Sequence, residues 1–154
     1  MAWRVERALI GDADAIAAVL VQSITDLCGA DHQDDPEIIA RWTANKTGPN
    51  MRRAITSDGA IVLVSRVDGG VACVGMAAGD QVLLNYVAPP HQRSGHSKAV
   101  LAALESRMKT RGVTTARLTS TKTAHAFYQK AGWQDCGTPQ VEFGLKGFPM
   151  TKAL

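Results

Sequence analysis

The segment Val87-Ala-Pro-Pro-His-Gln-Arg-Ser-Gly-His-Ser-Lys98 holds the clearest chemical signal in the chain. A strand-like run, Gln81 to Val87, stops at Pro89-Pro90, and a short polar loop with one glycine, Gly95, feeds a helix-like run. The first N–H groups of a helix have no partner within it and point outward. The positive end of the helix dipole lies behind them, so backbone alone can hold an anion there, phosphate above all. Gly95 keeps a side chain out of the anion's path, and Arg93 and Lys98 add positive charge. A glycine in a strand–helix loop also serves close packing alone, and the loop by itself leaves both readings open. Two commoner phosphate loops are excluded, because the sequence holds neither GxxxxGK[ST] nor GxGxxG.

Other reactive side chains form weaker patterns. His32, His91, His96 and His125 have no metal-ligand spacing with Cys28, Cys73 and Cys136, so no metal is expected. The cysteines are odd in number, far apart and without a CxxC pair, which fits a reduced, cytoplasmic setting. Cys73 reads as core. Cys136 reads as a turn or edge residue and not a nucleophile, because no paired histidine is evident. His96 is expected to face solvent or phosphate. Asp31, Asp34, Asp35 and Glu37 crowd one polar loop. Trp3, Trp42 and Trp133 read as aromatics packed on a sheet, with lining of an acceptor pocket as the second reading for Trp42.

These residues need a scaffold, and the 154-residue chain is long enough to bury a core as one domain, 1–154. Apolar residues make up 45% and charged residues 20%, an ordinary globular balance. The net charge of +3 is scattered, which argues against a nucleic-acid partner. No run approaches the roughly 20 apolar residues of a membrane span, and the start lacks a basic head before an apolar stretch. A cytoplasmic protein with no membrane partner is expected.

Trp3 to Ala8 alternates as a first strand. Asp12 is placed to cap a helix whose face is Ile16, Val19, Leu20, Ile24 and Leu27, and which ends at Gly29. After a polar loop, Asp35-Pro36 opens a second helix carrying Ile38, Ile39 and Trp42. Thr47 to Asn50 breaks the pattern, and a short helix is predicted from Met51 to Ser57. Ala60–Arg66, Val71–Ala77 and Gln81–Val87 form a strand meander, turned at Asp68-Gly69-Gly70 and Gly79-Asp80. A helix faced by Val100, Leu101, Leu104 and Met108 follows and closes at Gly112. The rest reads as a strand (113–119), a helix (123–131) closed by Gly132, and a final strand (141–148). Strand–helix–strand over 81–120 predicts a right-handed parallel crossover. The fold class is therefore α/β: a mixed sheet in which an antiparallel meander joins a parallel strand pair, flanked by helices.

Gln92-Arg-Ser-Gly95-His-Ser97 resembles the Q/R-x-x-G-x-G/A signature of the GNAT superfamily of N-acetyltransferases. Tyr86-Val87-Ala-Pro89 resembles the strand end before that signature, and Ala99 to Glu105 the helix after it. Ser120 to Trp133 resembles the superfamily's A-x-x-F-Y-x-K-x-G-F/W block, and Phe148 to Lys152 its usual ending. The likeness is specific over 60–152 and generic over the N-terminal helices. Ser97 stands where Gly or Ala is usual, and Thr121 where many members have an Asn that touches the coenzyme.

The resemblance implies transfer of an acetyl group from acetyl-coenzyme A, as co-substrate, to an amine on a small molecule or peptide. It implies a coenzyme site with the pyrophosphate on the amides of Arg93, Ser94, Gly95, His96, Ser97 and Lys98, beside Gln92 and Thr121. The pantetheine arm would lie along Asn85, Tyr86 and Val87, with an N–H near Val87 polarising the acetyl carbonyl. Tyr128 matches the tyrosine that protonates the departing thiolate. Such a thiolate, with a pKa near about 8.5, needs only modest help. The base is a water chain, Asp31 or His32, since 81–87 holds no carboxylate. In this superfamily the loop carrying Asp31 to Glu37 borders the acceptor groove, where a negative rim would draw in a cationic amine. A homodimer is compatible with the family. The rival reading is a non-catalytic acyl-coenzyme A sensor on the same fold, which would have no use for an acid at Tyr128.

Overall fold

The structure is a computed structural model that describes residues 4–154, so Trp3 lies outside the described residues. In chain order it runs β1 (Val5–Arg7), α1 (Ala13–Leu27), α2 (Gly29–His32), α3 (Pro36–Thr43), α4 (Gly48–Thr56), β2 (Ala60–Val67), β3 (Gly70–Ala78) and β4 (Gln81–Val87). It continues with α5 (His96–Thr110), β5 (Thr115–Ser120), α6 (Lys122–Lys130), β6 (Gln134–Asp135), β7 (Gln140–Glu142) and β8 (Leu145–Ala153). The sheet order is β1-β2-β3-β4-β5-β8-β6, with β7 paired to β8. The β1-to-β4 part is antiparallel, and β4 pairs β5 in parallel, as the sequence predicts.

Alternation along the meander divides the apolar residues between two helical layers. Ile61, Leu63, Cys73 and Val82 face α5 and α6 with Val100, Leu101, Leu104, Met108 and Trp133. Val62, Val64 and Val74 face α1 and α4 with Ile16, Leu20 and Met51. Gly75 lets α5 sit close to β3: an added Cβ there would lie 2.5 Å from Val100 Cγ1 and 2.8 Å from Leu104 Cδ1. Among the described residues no helix is long and apolar enough to cross a membrane.

Three predicted details are corrected. Asp12 does not cap α1 with its side chain. It accepts the Leu9 N–H at 2.7 Å and pairs with Arg66 at 2.8 Å instead. The break between α3 and α4 falls earlier, at residues 44–47, and Gly48 to Asn50 already belong to α4, which Thr47 caps, its hydroxyl oxygen accepting the Asn50 N–H. The single final strand is a hairpin, β7–β8, turned by Phe143 and Gly144, both at positive φ. Pro139 marks the turn before it, but Phe143 carries no turn signal in its residue type.

Candidate active site

Gly95 is the N-cap of α5 and has φ 86, a left-handed conformation that only glycine takes at little cost. The glycine is thus required by the backbone as well as by the open approach. The Ala99 N–H, bonded to the Gly95 carbonyl at 3.1 Å, begins the helical ladder, so the amides before it head the helix without a partner within it. Gly95, Ser97, Lys98 and Arg93 line a cavity of about 350 Å³ at this end, closed by Val87 and Phe127. The His96 side chain corrects the prediction that it faces solvent or phosphate. It is buried at 3% exposure, with Nδ1 2.8 Å from the Ser65 hydroxyl. His96 nonetheless stands in the wall of the same cavity. Ser94 is exposed and donates its hydroxyl to the Gln92 carbonyl at 3.4 Å.

The sheet opens beside this loop. β4 and β5 are in register at Gln81 and Arg117 only. There the Arg117 guanidinium clasps the Asp80 carboxylate through two bonds, at 2.9 and 3.0 Å. Beyond that clasp the two strands part, leaving the β5-facing edge of β4 without a strand partner over the rest of its length. An irregularity between Met76 and Ala77, opposite Leu83, shifts the pleat of β4. Without it Asn85 would share a face with Leu83. With it, Val82, Asn85 and Val87 face α5 and α6, while Leu84 and Tyr86 face α1.

Asn85 therefore meets the catalytic candidate. Its amide donates to the Ser97 carbonyl at 3.3 Å, and Asn85 lines one cavity with Tyr128. Tyr128 lies on α6 with 7% exposure, edge-on to Phe127 and Trp133. Burial pushes its phenol well above the ordinary tyrosine range. A second cavity, about 390 Å³, is lined by Asn85, Tyr86, Val87, Gln92, Arg93, Ser97, Thr121 and Tyr128. The structure thus collects the predicted residues other than Ser94 in two adjoining hollows that share Val87, Arg93, Ser97 and Phe127. Thr121 caps α6, its hydroxyl oxygen accepting the Ala124 N–H at 3.1 Å.

Of the predicted acidic rim, Asp34, Asp35 and Glu37 are exposed, and Asp31 alone lines one of the site's cavities. Asp31 lies in a short helix, is 6% exposed, and accepts from the Lys122 N–H (2.7 Å), the Thr123 N–H (3.1 Å) and the Thr123 hydroxyl (2.5 Å). Asp35 caps α3 as predicted, accepting the Glu37 N–H at 2.9 Å. Glu37 pairs with Arg41. His32 is fully buried, Nε2 bonded to the Ile24 carbonyl at 2.8 Å and Nδ1 accepting the Asp34 N–H at 3.0 Å. Neither Asp31 nor His32 has an idle basic atom for a proton in transit.

A third cavity, about 350 Å³, lies across the split, with Trp42, Tyr86 and Thr121 among its walls. Tyr86 and Thr121 line both this hollow and the one that holds Tyr128. Cys28 and Thr123 also border the Tyr128 hollow and were not predicted. Burial first, and then the Asp31 charge, push the Cys28 thiol up to about 12, so it is no thiolate at neutral pH. No spacing could reveal these residues, because the link from Asp31 to α6 spans 91 positions.

A family model described as an acetyltransferase (GNAT) domain matches residues 16–154. No curated protein matches the chain. Among solved structures, a GCN5-related N-acetyltransferase (aminotransferase, class II) from Rhodopseudomonas palustris superposes with a TM-score of 0.88 at 23% identity, covering 100% of this chain and 97% of its own. The PaiA N-acetyltransferase from Thermoplasma acidophilum, in complex with coenzyme A, superposes with a TM-score of 0.84 at 18% identity, covering 100% of both chains. A ribosomal-protein-alanine N-acetyltransferase from Brucella melitensis gives 0.71 at 22% identity, covering 98% of this chain and 99% of its own. The split mixed sheet, the glycine-headed α5 and a family match that runs to the last residue agree, and the chain belongs to the GNAT family of acetyltransferases.

Proposed function

We propose that this enzyme transfers the acetyl group of acetyl-coenzyme A directly to an amine, with Tyr128 as the general acid. The observation that carries the reading is the cavity wall that Tyr128 shares with Asn85, Tyr86 and Val87, because it sets a buried phenol beside the open edge of β4. The residues fit the coenzyme. The first-turn amides of α5 point outward at its head, Gly95 keeps a side chain out of their way, and the β4 edge over Asn85 to Val87, which no strand covers, can accept an extended arm as an added strand. Arg93, Lys98, Gln92, Ser97 and Thr121 flank that path. Acetyl-coenzyme A supplies the activated acyl group when bound.

The amine attacks the acyl carbon from the Trp42 side of the split. An N–H near Val87 polarises the carbonyl. As the carbon–sulfur bond breaks, the Tyr128 hydroxyl gives its proton to the sulfur. With Asp31 and His32 both engaged, water removes the proton of the amine. Relatives named for ribosomal-protein alanine and for an aminoglycoside 6′-amine put peptide and small-molecule amines in range as acceptors. The test is thiol release from acetyl-coenzyme A with a panel of amines. Amine-dependent release with a matching acetylated product supports the reading. Tight coenzyme binding without release on any amine would make the chain a sensor.

A further inference from the structure

The cavity walled by Trp42 carries more positive than negative charge. Arg41, Lys46 and Lys146 line it, against Asp31 and Glu142. The Asp31 carboxylate is already saturated by three donors from the head of α6. Arg41 is paired with Glu37 at 3.3 Å, on an exposed face where such a pair contributes little. Lys46 donates to the Asn45 side-chain oxygen at 2.8 Å, and Lys146 lies 5.5 Å from the Phe148 ring centre. Neither lysine forms an ion pair among the described residues. Lys46 is half-buried and Lys146 is exposed at the cavity wall; a half-buried ammonium with no counter-charge is costly, and an anion bound at Lys46 would offset that cost.

We infer that the acceptor is a small amine bearing its own carboxylate or phosphate, held by Lys46 and Lys146 against Trp42. This rests on the proposed acetyl transfer for its purpose and on the wall of this cavity for its chemistry. The volume, about 350 Å³, suits a small molecule. The same cations do a second job. Like charges disfavour an ammonium, so a bound acceptor loses its proton more readily and attacks as the neutral amine. That matters in a site where the buried carboxylate and imidazole, Asp31 and His32, are both engaged. Burial lowers the Lys46 ammonium from its ordinary range, which agrees with its place in the wall.

Calorimetry on the full chain saturated with coenzyme A tests this with matched pairs. Phenylalanine is compared with phenylalaninamide, and phosphoethanolamine with ethanolamine, with spermidine as a polycation. At least one anionic member should bind about tenfold tighter than its neutral partner, the effect of one net charge contact. Lys46→Gln with Lys146→Gln should abolish that preference and leave coenzyme A binding unchanged. The pair that responds identifies carboxylate or phosphate. Equal binding within both pairs, strongest binding by spermidine, no amine binding at all, or a preference that survives in the double variant would each overturn the inference. Thiol release is run in parallel. Anion-selective binding without release would leave the inference standing and remove acetyl transfer.

Discussion

The Asp31 carboxylate accepts the Lys122 N–H at 2.7 Å, and so fastens α2 to the head of the helix that carries Tyr128. With Thr121 it satisfies the amides of the first turn of α6. Asp31→Ala should leave those donors unmet in a buried place and lower stability by about 2 kcal/mol, within the range for charged hydrogen bonds. Asp31→Asn keeps one acceptor oxygen and should recover part of the loss. Urea denaturation of both variants checks the order. Equal midpoints for wild type and Asp31→Ala would show that this contact does not hold the helix.

Tyr128→Phe keeps the packing on Trp133 and removes only the hydroxyl. The rate of transfer should fall about 10²-fold, as for loss of a general acid. Affinity for coenzyme A should hardly change, because the contact matters as the sulfur departs. Burial raises the phenol, so Tyr128 stays protonated through the ordinary pH range. An alkaline fall in rate below about pH 10, the ordinary tyrosine value, therefore has another origin and should persist in the variant. A wild-type rate in Tyr128→Phe would assign the proton to water.

Much of this was legible because it is local. The stop at Pro89-Pro90, the glycine before α5 and the meander turns each follow from neighbouring residues. The irregularity opposite Leu83 was not legible. QVLLNYV alternates poorly, and only pairing with β3 decides which of Leu84 and Asn85 faces α5. Asp31 misled for a related reason. A carboxylate in a polar run reads as solvated, and nothing near it announces a helix end arriving from 91 positions away. His96 sits in a loop of polar residues, yet its ring turns inward to Ser65, which the alternation of β2 places on the α5 face.

Gly95 serves a backbone need and an access need, and substitution separates them by size. Gly95→Ala adds strain of about 1–2 kcal/mol at φ 86 and a methyl group at the head of α5. Coenzyme A affinity should drop by roughly tenfold, equivalent to about 1.4 kcal/mol, while the fold persists. Arg93→Ala leaves the amides in place. Its smaller loss of affinity should shrink as salt rises, because it removes only a screened charge. Calorimetry at two ionic strengths distinguishes the cases, and unchanged affinity in a folded Gly95→Ala would take the coenzyme off this loop.

The buried bond between the Ser65 hydroxyl and His96 Nδ1, 2.8 Å long, joins β2 to the first residue of α5 beneath the same loop. Burial first, and then the neighbouring His91, lower the His96 imidazole below its ordinary value. The unfolded chain therefore binds a proton at His96 more readily than the folded chain does. Stability from this group is present above the ordinary histidine pKa, near 6.5, and is lost as pH falls from there toward the lower folded value. His96→Gln keeps a polar side chain at the site but cannot titrate. Denaturation at pH 7.5 and at pH 5.5 should show wild type losing more stability on acidification than His96→Gln does. Ser65→Ala should cost about 1 kcal/mol or more at pH 7.5 by stranding the ring nitrogen. Equal losses on acidification in wild type and His96→Gln would mean that the imidazole titrates alike in both states, and that the foot of α5 is not where acid acts on this fold.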